Sequence, residues 1–238
     1  MRTAYTVFRN LYNVRKMTMK LVLASGSQRR RELLTMCGYD YEIIVSNADE
    51  TIDENDPESF VRALSFRKAK EVFDRIFAAG RRDFAVIGSD TVVAFQKDGE
   101  TKPVIIGKPK DAEDAVCILS MLSGKTHRVF TGVSVIADIP DENAAAQCSI
   151  REKEEIQTEC SITEVTFETL SPDEIADYVN SGDPLDKAGS YGIQGPFGMF
   201  VREIRGNYFT VIGMPIPVLY KMLKKIGILP HGFYERIE

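Results

Sequence analysis

Histidine is scarce in this chain, with two in 238 residues. Neither stands in a Ser-His-Asp or Cys-His arrangement, so an activated serine or cysteine nucleophile would lack its base. Cysteine is nearly as scarce. Cys37, Cys117, Cys148 and Cys160 show neither CxxC nor zinc-ligand spacing, the pattern of free thiols in a reducing compartment. Cys148 and Cys160 flank an expected hairpin loop and could pair only under oxidation. No apolar run approaches the length that crosses a bilayer, so no membrane partner is expected. Basic charge is not in excess either: the net charge is −5, and dispersed Lys and Arg exclude a general nucleic-acid coat. Internal repeats and independent-domain linkers are also missing. What remains is an ordinary globular composition, long enough to bury a core as one domain or as two closely packed lobes.

Acids are absent before Glu32, so the leading segment Met1 to Lys20 is basic and polar, with Arg2, Arg9, Arg15 and Lys16 beside Phe8, Leu11 and Tyr12. This suits an amphipathic transit peptide for a mitochondrion or other organelle, and it suits equally an upstream start, since Met17 and Met19 follow closely. It lacks the apolar core of a secretory signal. The expected layout is an N-terminal extension over 1–19, one two-lobed domain over 20–228 and a tail over 229–238. The expected location is the cytoplasm, unless the extension is a targeting sequence.

The stretch that organises the rest is Lys20-Leu-Val-Leu-Ala-Ser-Gly-Ser-Gln-Arg-Arg-Arg-Glu-Leu-Leu34. It reads as a buried strand over Leu21 to Ala24, a small-residue turn at Ser25-Gly26-Ser27, and an amphipathic helix. A strand feeding a helix through such a turn gathers unpaired N–H groups in one concavity, where the helix dipole favours an anion. Arg29 and Arg30 lie four residues before Leu33 and Leu34, which places them above the core stripe at the helix mouth. Guanidinium forks there suit phosphate oxygens.

Further along, Tyr41 to Val45 reads as a second strand, followed by the acidic turn Asn47-Ala-Asp-Glu-Thr51. Pro57 opens a long helix to about Ala79, with Phe60, Leu64, Val72, Phe73, Ile76 and Phe77 on its apolar face. Lys68 lies on or beside that face, either snorkelling over the core or aimed into a site. Phe84 to Phe95 reads as a strand buried on both sides and interrupted by Ser89-Asp90-Thr91. A carboxylate in such company must be paired, hydrogen-bonded or metal-bound, because bare burial costs several kcal/mol. Glu100 to Lys108 is the expected hairpin partner, and Asp111 caps a helix through Met121. Ser123-Gly-Lys-Thr126 is not a Walker A loop, because Leu119 stands where the pattern requires glycine. His127 to Ala137 and Cys160 to Leu170 read as a strand pair around an extended, peripheral loop over Asp138 to Glu159. Ser171-Pro-Asp-Glu174 is a capping box, and Gly182 ends its helix. The glycine-rich run Asp183 to Gly195 precedes two expected short strands, Met199 to Ile204 and Tyr208 to Ile212, and Pro215 opens a final helix. Glycines at 189, 192, 195 and 198 serve tight turns or let backbone approach a ligand.

The chain therefore offers cations for phosphates (Arg29, Arg30, Lys68, Lys108, Lys187) and carboxylates for a hard metal or a water (Asp49, Glu50, Asp90). Mg²⁺ prefers one or two carboxylates completed by substrate phosphate oxygens and water. The set fits metal-assisted hydrolysis of a phosphoanhydride, in which positioning and charge neutralisation dominate.

Five motifs in order carry a resemblance: Leu23-Ala-Ser-Gly-Ser with Arg29-Arg30; Ser89-Asp90-Thr91; Gly107-Lys108-Pro109; Ser123-Gly-Lys-Thr-His127 with Thr131-Gly132; and Asp183-Pro-Leu-Asp-Lys-Ala-Gly-Ser-Tyr-Gly-Ile-Gln-Gly195, closed by Val211-Ile-Gly-Met-Pro215. Over roughly 20 to 228 the chain resembles the Maf family, the septum-formation-inhibitor-like nucleoside triphosphate pyrophosphatases. The resemblance implies an α/β fold of the Maf/ITPase-like kind: an elongated mixed sheet with flanking helices and two lobes around a central cleft, commonly as a homodimer. It implies hydrolysis of nucleoside triphosphates to monophosphate and diphosphate with Mg²⁺ or Mn²⁺. Carried over by motif, Asp90 is the proton acceptor or metal ligand that activates water, Glu50 joins it as a metal ligand, and Ser25, Arg30, Lys68 and Lys108 hold the triphosphate. Arg29, Thr91 and Gln194 resemble the subgroup acting on dTTP and UTP. Gln194 also has a physical case, since its amide donates and accepts and so matches the C=O and N–H of a uracil or thymine edge.

The chain departs from the family pattern in its N-terminal extension, in the 138–159 loop and in Gln28, where proline is common. The expectation is a pyrimidine nucleoside triphosphate pyrophosphatase in nucleotide-pool housecleaning, acting on dTTP and UTP or on a 5-substituted pyrimidine. The alternative from another class is a regulatory nucleotide-binding module in septum or cell-division control without significant turnover.

Overall fold

The computed structural model describes residues 19–97, 99–139 and 153–231. A seven-stranded mixed sheet runs in the order β2-β1-β3-β5-β6-β7, with β4 added on β3. In chain order the elements are β1 (Lys20–Leu23), α1 (Gln28–Met36), β2 (Tyr41–Ile43), α2 (Pro57–Ala78), β3 (Phe84–Phe95), β4 (Val104–Ile106), α3 (Ala112–Leu122), β5 (Thr126–Ile139), β6 (Lys153–Phe167), α4 (Pro172–Asn180), β7 (Val201–Arg205), α5 (Tyr208–Ile212) and α6 (Ile216–Lys225). β1 pairs in parallel with both β2 and β3, whereas β3, β5, β6 and β7 form an antiparallel run. The expected mixed sheet with flanking helices is present. No helix of the described residues is long and apolar enough to cross a membrane.

Local chemistry accounts for most helix ends. Asp56 caps α2 by accepting from the Ser59 N–H with Pro57 in the first turn, and Asp111 caps α3 through Asp114. Ser171 and Glu174 form the reciprocal capping box of α4. Helix α1 differs. Its N-cap Ser27 makes no side-chain cap bond, so the first-turn N–H groups stay available to whatever enters the space before them.

Strand β3 runs between two parts of the apolar core. Its first half, Phe84 to Ile87, packs into clusters with β1, α2 and α6, and its second half, Val92 to Phe95, packs into clusters that include β4, α3, α4 and Phe130. The polar triplet Ser89-Asp90-Thr91 falls between them. It does not break the strand, as the sequence suggested. The ladder to β5 runs through Ser89↔Val133, Asp90↔Gly132 and Thr91↔Thr131. What the triplet interrupts is the apolar core, because side-chain polarity leaves backbone pairing untouched.

Helix α2 lies unusually close to this sheet. A Cβ on Gly88 would sit 2.2 Å from the Ser65 carbonyl oxygen, and one on Gly132 would sit 2.2 Å from the Val61 carbonyl oxygen. Two neighbouring glycines thus clear a seat for the helix backbone, and the hydroxyls of Ser65 and Ser134 meet across it at 3.0 Å.

Two expected elements differ. Tyr208 to Ile212 is a helix rather than a strand. Asn207 accepts from the Phe209 N–H at its start, and Gly213 ends it in the left-handed region; these caps override the β-branched and aromatic composition. The 138–159 loop is shorter than expected, since β5 extends to Ile139 and β6 begins at Lys153. The central part of that loop, Cys148 with it, and the 1–18 and 232–238 ends lie outside the described residues.

Two outcomes follow from this packing. Gly88→Ala should destabilise the fold by about 1–3 kcal/mol or more, because backbone rather than a flexible side chain blocks the new methyl. Gly107→Ala, which meets nothing within 4 Å, should stay within about 0.5 kcal/mol. Equal urea midpoints for the two variants would disprove the close seat. His127 is 2% exposed, between the rings of Phe167 and Tyr191, and burial pulls its pKa down to about 3. The unfolded chain therefore binds this proton more readily than the folded one. The stability involved is complete above about pH 6.5 and is lost toward pH 3, at up to about 1.4 kcal/mol per pH unit. His127→Phe should flatten that slope in urea titrations between pH 7 and pH 4; an unchanged slope would assign it to other groups.

Candidate active site

A cleft of about 1360 Å³ opens where α1, β3, α2 and the glycine-rich segment converge. Of the residues singled out in the sequence, Ser25, Arg29, Arg30, Glu50, Lys68, Asp90, Thr91, Lys108, Lys187 and Gln194 all line it. Asp49 does not. Its carboxylate accepts from the Thr51 N–H at 2.9 Å and serves the turn.

The α1 end is built as an anion seat. Ser25 is buried at the end of β1, and its hydroxyl takes the Ser27 N–H at 3.2 Å and Arg30 Nη1 at 3.1 Å. Arg30 also donates from Nε to the Gly213 carbonyl at 2.9 Å and from Nη2 to Thr91 Oγ1 at 3.4 Å. Three anchors hold the guanidinium in one plane. Burial pulls its pKa down, with the Asp90 charge opposing, and a guanidinium remains cationic under such a shift. Gly213 was not singled out as a site residue. Its carbonyl also accepts from Ser89 Oγ at 3.0 Å, so one backbone oxygen registers α1 against β3. The Gly-Met-Pro turn was its only signal in the sequence.

Arg29 points elsewhere, with Nη1 3.9 Å from Asp186. Of the two arginines, Arg30 is the one joined to Thr91, which links in turn to Thr131 Oγ1 at 3.0 Å and through it to the Thr210 carbonyl at 2.7 Å.

Opposite lies the carboxylate group. Lys68 Nζ donates to Asp90 Oδ1 at 2.7 Å and lies 3.0 Å from Glu50 Oε1. The lysine is aimed into the site, not snorkelling. Asp90 and Lys68 side chains are 11% and 12% exposed, whereas Glu50 is 64% exposed. Two carboxylates thus converge on the Lys68 ammonium. No group of three or more potential ligands occurs among the described residues, so a divalent ion here would need oxygens from a substrate. That donor set fits Mg²⁺ or Mn²⁺, which favour one or two carboxylates with phosphate oxygens.

Lys187 is not a free phosphate cation. Its ammonium is bound to Asp183 O at 2.5 Å, Asp183 Oδ1 at 3.0 Å and Asp186 Oδ1 at 2.8 Å. Burial pushes the Asp183 carboxyl up, but hydrogen bonds from Tyr178 and Lys187 outweigh it and hold it below its ordinary value. Gln194 is exposed toward the cleft beside partly buried Ile193 and buried Tyr191. Exposed Lys108 lines the same opening, and Lys102, which the sequence did not single out, lies on the wall with it.

A basic, anchored seat facing two carboxylates across a cleft suits a polyphosphate ester. A family model described as Maf-like protein matches residues 20–226. A protein of Agathobacter rectalis named dTTP/UTP pyrophosphatase is 40% identical over 217 residues, covering 88% of this chain and 98% of that one. One of Bacillus thuringiensis subsp. konkukian, also named dTTP/UTP pyrophosphatase, is 42% identical over 210 residues, covering 88% and 96%. Among solved structures, the Staphylococcus aureus Ham1 protein aligns over 87% of this chain and 98% of that chain with a TM-score of 0.43 at 16% identity.

Proposed function

The chain belongs to the Maf family, and from that premise and the cleft we propose that it hydrolyses pyrimidine nucleoside triphosphates, dTTP and UTP, to monophosphate and diphosphate. The observation that carries the chemistry is the Asp90–Lys68–Glu50 cluster sharing one cleft with the anchored Arg30. A sensor needs the cations but has no use for a nearly buried carboxylate positioned to take a proton. The regulatory module without turnover is therefore not favoured, and the relatives' names point the same way.

In the proposed mechanism the triphosphate lies along the α1 mouth. Ser25, Arg30 and the uncapped N–H groups of the helix neutralise its oxygens. Asp90 accepts the proton of a water whose oxygen bonds to the α-phosphorus, and the bond from that phosphorus to the bridging oxygen breaks, so diphosphate leaves. Lys68 holds Asp90 in place and offers its ammonium to the oxygens that gain charge, and Lys108 assists from the rim. A bound Mg²⁺ or Mn²⁺, held by Asp90 and Glu50, would supply charge neutralisation and lower the pKa of the attacking water. The base lies at the glycine-rich end, where Gln194 reads its edge with a donor and an acceptor. A homodimer, a cytoplasmic location and a housecleaning role are part of the same proposal, by likeness to the family.

Asp90→Asn should keep the fold while turnover falls by about 10²-fold or more, as expected for loss of a general base. Near-normal turnover would remove Asp90 from that role. With UTP in ¹⁸O-labelled water and Mg²⁺ or Mn²⁺, the label should enter UMP and the other product should be diphosphate. Label in diphosphate, or release of single phosphate, would refute attack at the α-phosphorus.

A further inference from the structure

The loop that presents Gln194 is tied from behind by a residue outside the cleft lining. Tyr178, on α4, is 6% exposed, and its ring packs against Phe197 with centroids 4.8 Å apart. Its hydroxyl donates to Asp183 Oδ2 at 2.5 Å and accepts from the Gly192 N–H at 3.1 Å. One oxygen thus joins both ends of the segment 183–192, and Gln194 lies two residues further on.

The conformation inside that segment needs such a tie. Gly189 has φ +73 and Ser190 has φ +60. A left-handed serine is strained, and strain of this kind persists only where the surroundings enforce it. Ser190 is fully buried, and its Oγ has no hydrogen-bond partner, so its own side chain does not hold it. Its neighbours do. The Gly189 N–H reaches the Gly107 carbonyl at 2.9 Å, and the Tyr191 hydroxyl meets His127 Nε2 at 3.0 Å. Gly192 is pressed as well: a Cβ there would lie 2.6 Å from Lys187 Cε. Tyr178 supplies the tie nearest to Gln194 on its N-terminal side, and beyond it the Gly198 N–H reaches the Gly195 carbonyl at 3.0 Å.

We propose that Tyr178 is a positioning residue for base selection, its hydroxyl fixing Gly192 against Asp183 and thereby the orientation in which Gln194 meets the base. A fixed amide matches uracil, with its C=O and N–H, better than cytosine, which presents the complementary pattern. An amide free to reorient matches either one. The proposal rests on Gln194 as the base reader.

Tyr178→Phe deletes both hydrogen bonds and keeps the ring. Steady-state kinetics with UTP and CTP on wild type, Tyr178→Phe, Gln194→Ala and the double variant test the idea. Each single variant should lower the UTP-to-CTP ratio of kcat/KM by up to about tenfold, the scale of one lost hydrogen bond. For Tyr178→Phe the change should sit in KM, with kcat nearly kept. The double variant should fall no lower than Gln194→Ala, because both changes act through the same amide. Partial unfolding would reduce the rates for both substrates alike and leave the ratio unmoved. Asp183→Ala, which removes the acceptor of the same hydroxyl from its more exposed side, should also lower the ratio. A ratio unchanged in Tyr178→Phe and Asp183→Ala but lowered in Gln194→Ala overturns the positioning role alone, as does an additive double variant. A ratio unchanged in Gln194→Ala overturns the base-reader reading and this proposal with it.

Discussion

The site depends on how closely one helix lies on one sheet. With Gly88 and Gly132 beneath it, α2 packs backbone to backbone against β3 and β5. That approach is what lets Lys68, on the helix, and Asp90, register partner of Gly132, meet at 2.7 Å. A pair this shielded from water gains from a strong local field but pays heavily if either partner is misplaced. The glycines are thus part of the electrostatics of the cleft, although neither touches a charge.

The same strand solves a second problem. An extended strand through a protein of this size would normally carry one continuous core, yet a carboxylate placed in the cleft needs a break in it. β3 keeps its backbone ladder and changes only its side chains, so that two apolar halves are separated by Ser89, Asp90 and Thr91. The Ser89 hydroxyl reaches the Gly132 and Gly213 carbonyls, and Thr91 joins Thr131. Each buried polar group thereby has a partner, and the break costs little. Gly213, which also receives Arg30, ties the phosphate seat to the carboxylate strand through a single oxygen.

The two ends of the cleft are held by different means. The α1 end rests on regular elements, a strand and a helix mouth with no side-chain cap. The glycine-rich end is irregular, and its shape comes from side chains behind it: Tyr178, His127, and a lysine whose charge is spent on Asp183 and Asp186. In the proposed reaction the triphosphate is common to all nucleotides, so a generic seat would suffice at the α1 end. The base must be told from other bases, which would call for a surface built specifically and held stiffly.

The sequence by itself determined what depends on neighbours along the chain. The Ser171–Glu174 capping box, the Pro57 and Asp111 helix starts, the strand-turn-helix around Ser25 and the antiparallel pairing of β5 with β6 were all legible, because periodicity and caps act over a few residues. The ordered motifs also carry eight of the ten expected site residues that line the cleft; Glu50 and Lys68 stand outside them. Tyr208 to Ile212 reads as a strand from its β-branched and aromatic composition, but Asn207 and Gly213 on either side cap it as a helix. Tertiary structure alone decided which arginine meets Thr91, that Lys187 is bound to carboxylates, that Lys68 turns inward, that the Gly213 carbonyl receives Arg30 and Ser89, and that Tyr178 joins Asp183 to Gly192. Those outcomes turn on contacts such as Arg30 with Gly213, 183 residues apart in sequence. Whether such groups meet depends on how the sheet, α2 and the glycine-rich loop pack together, and no local pattern encodes that.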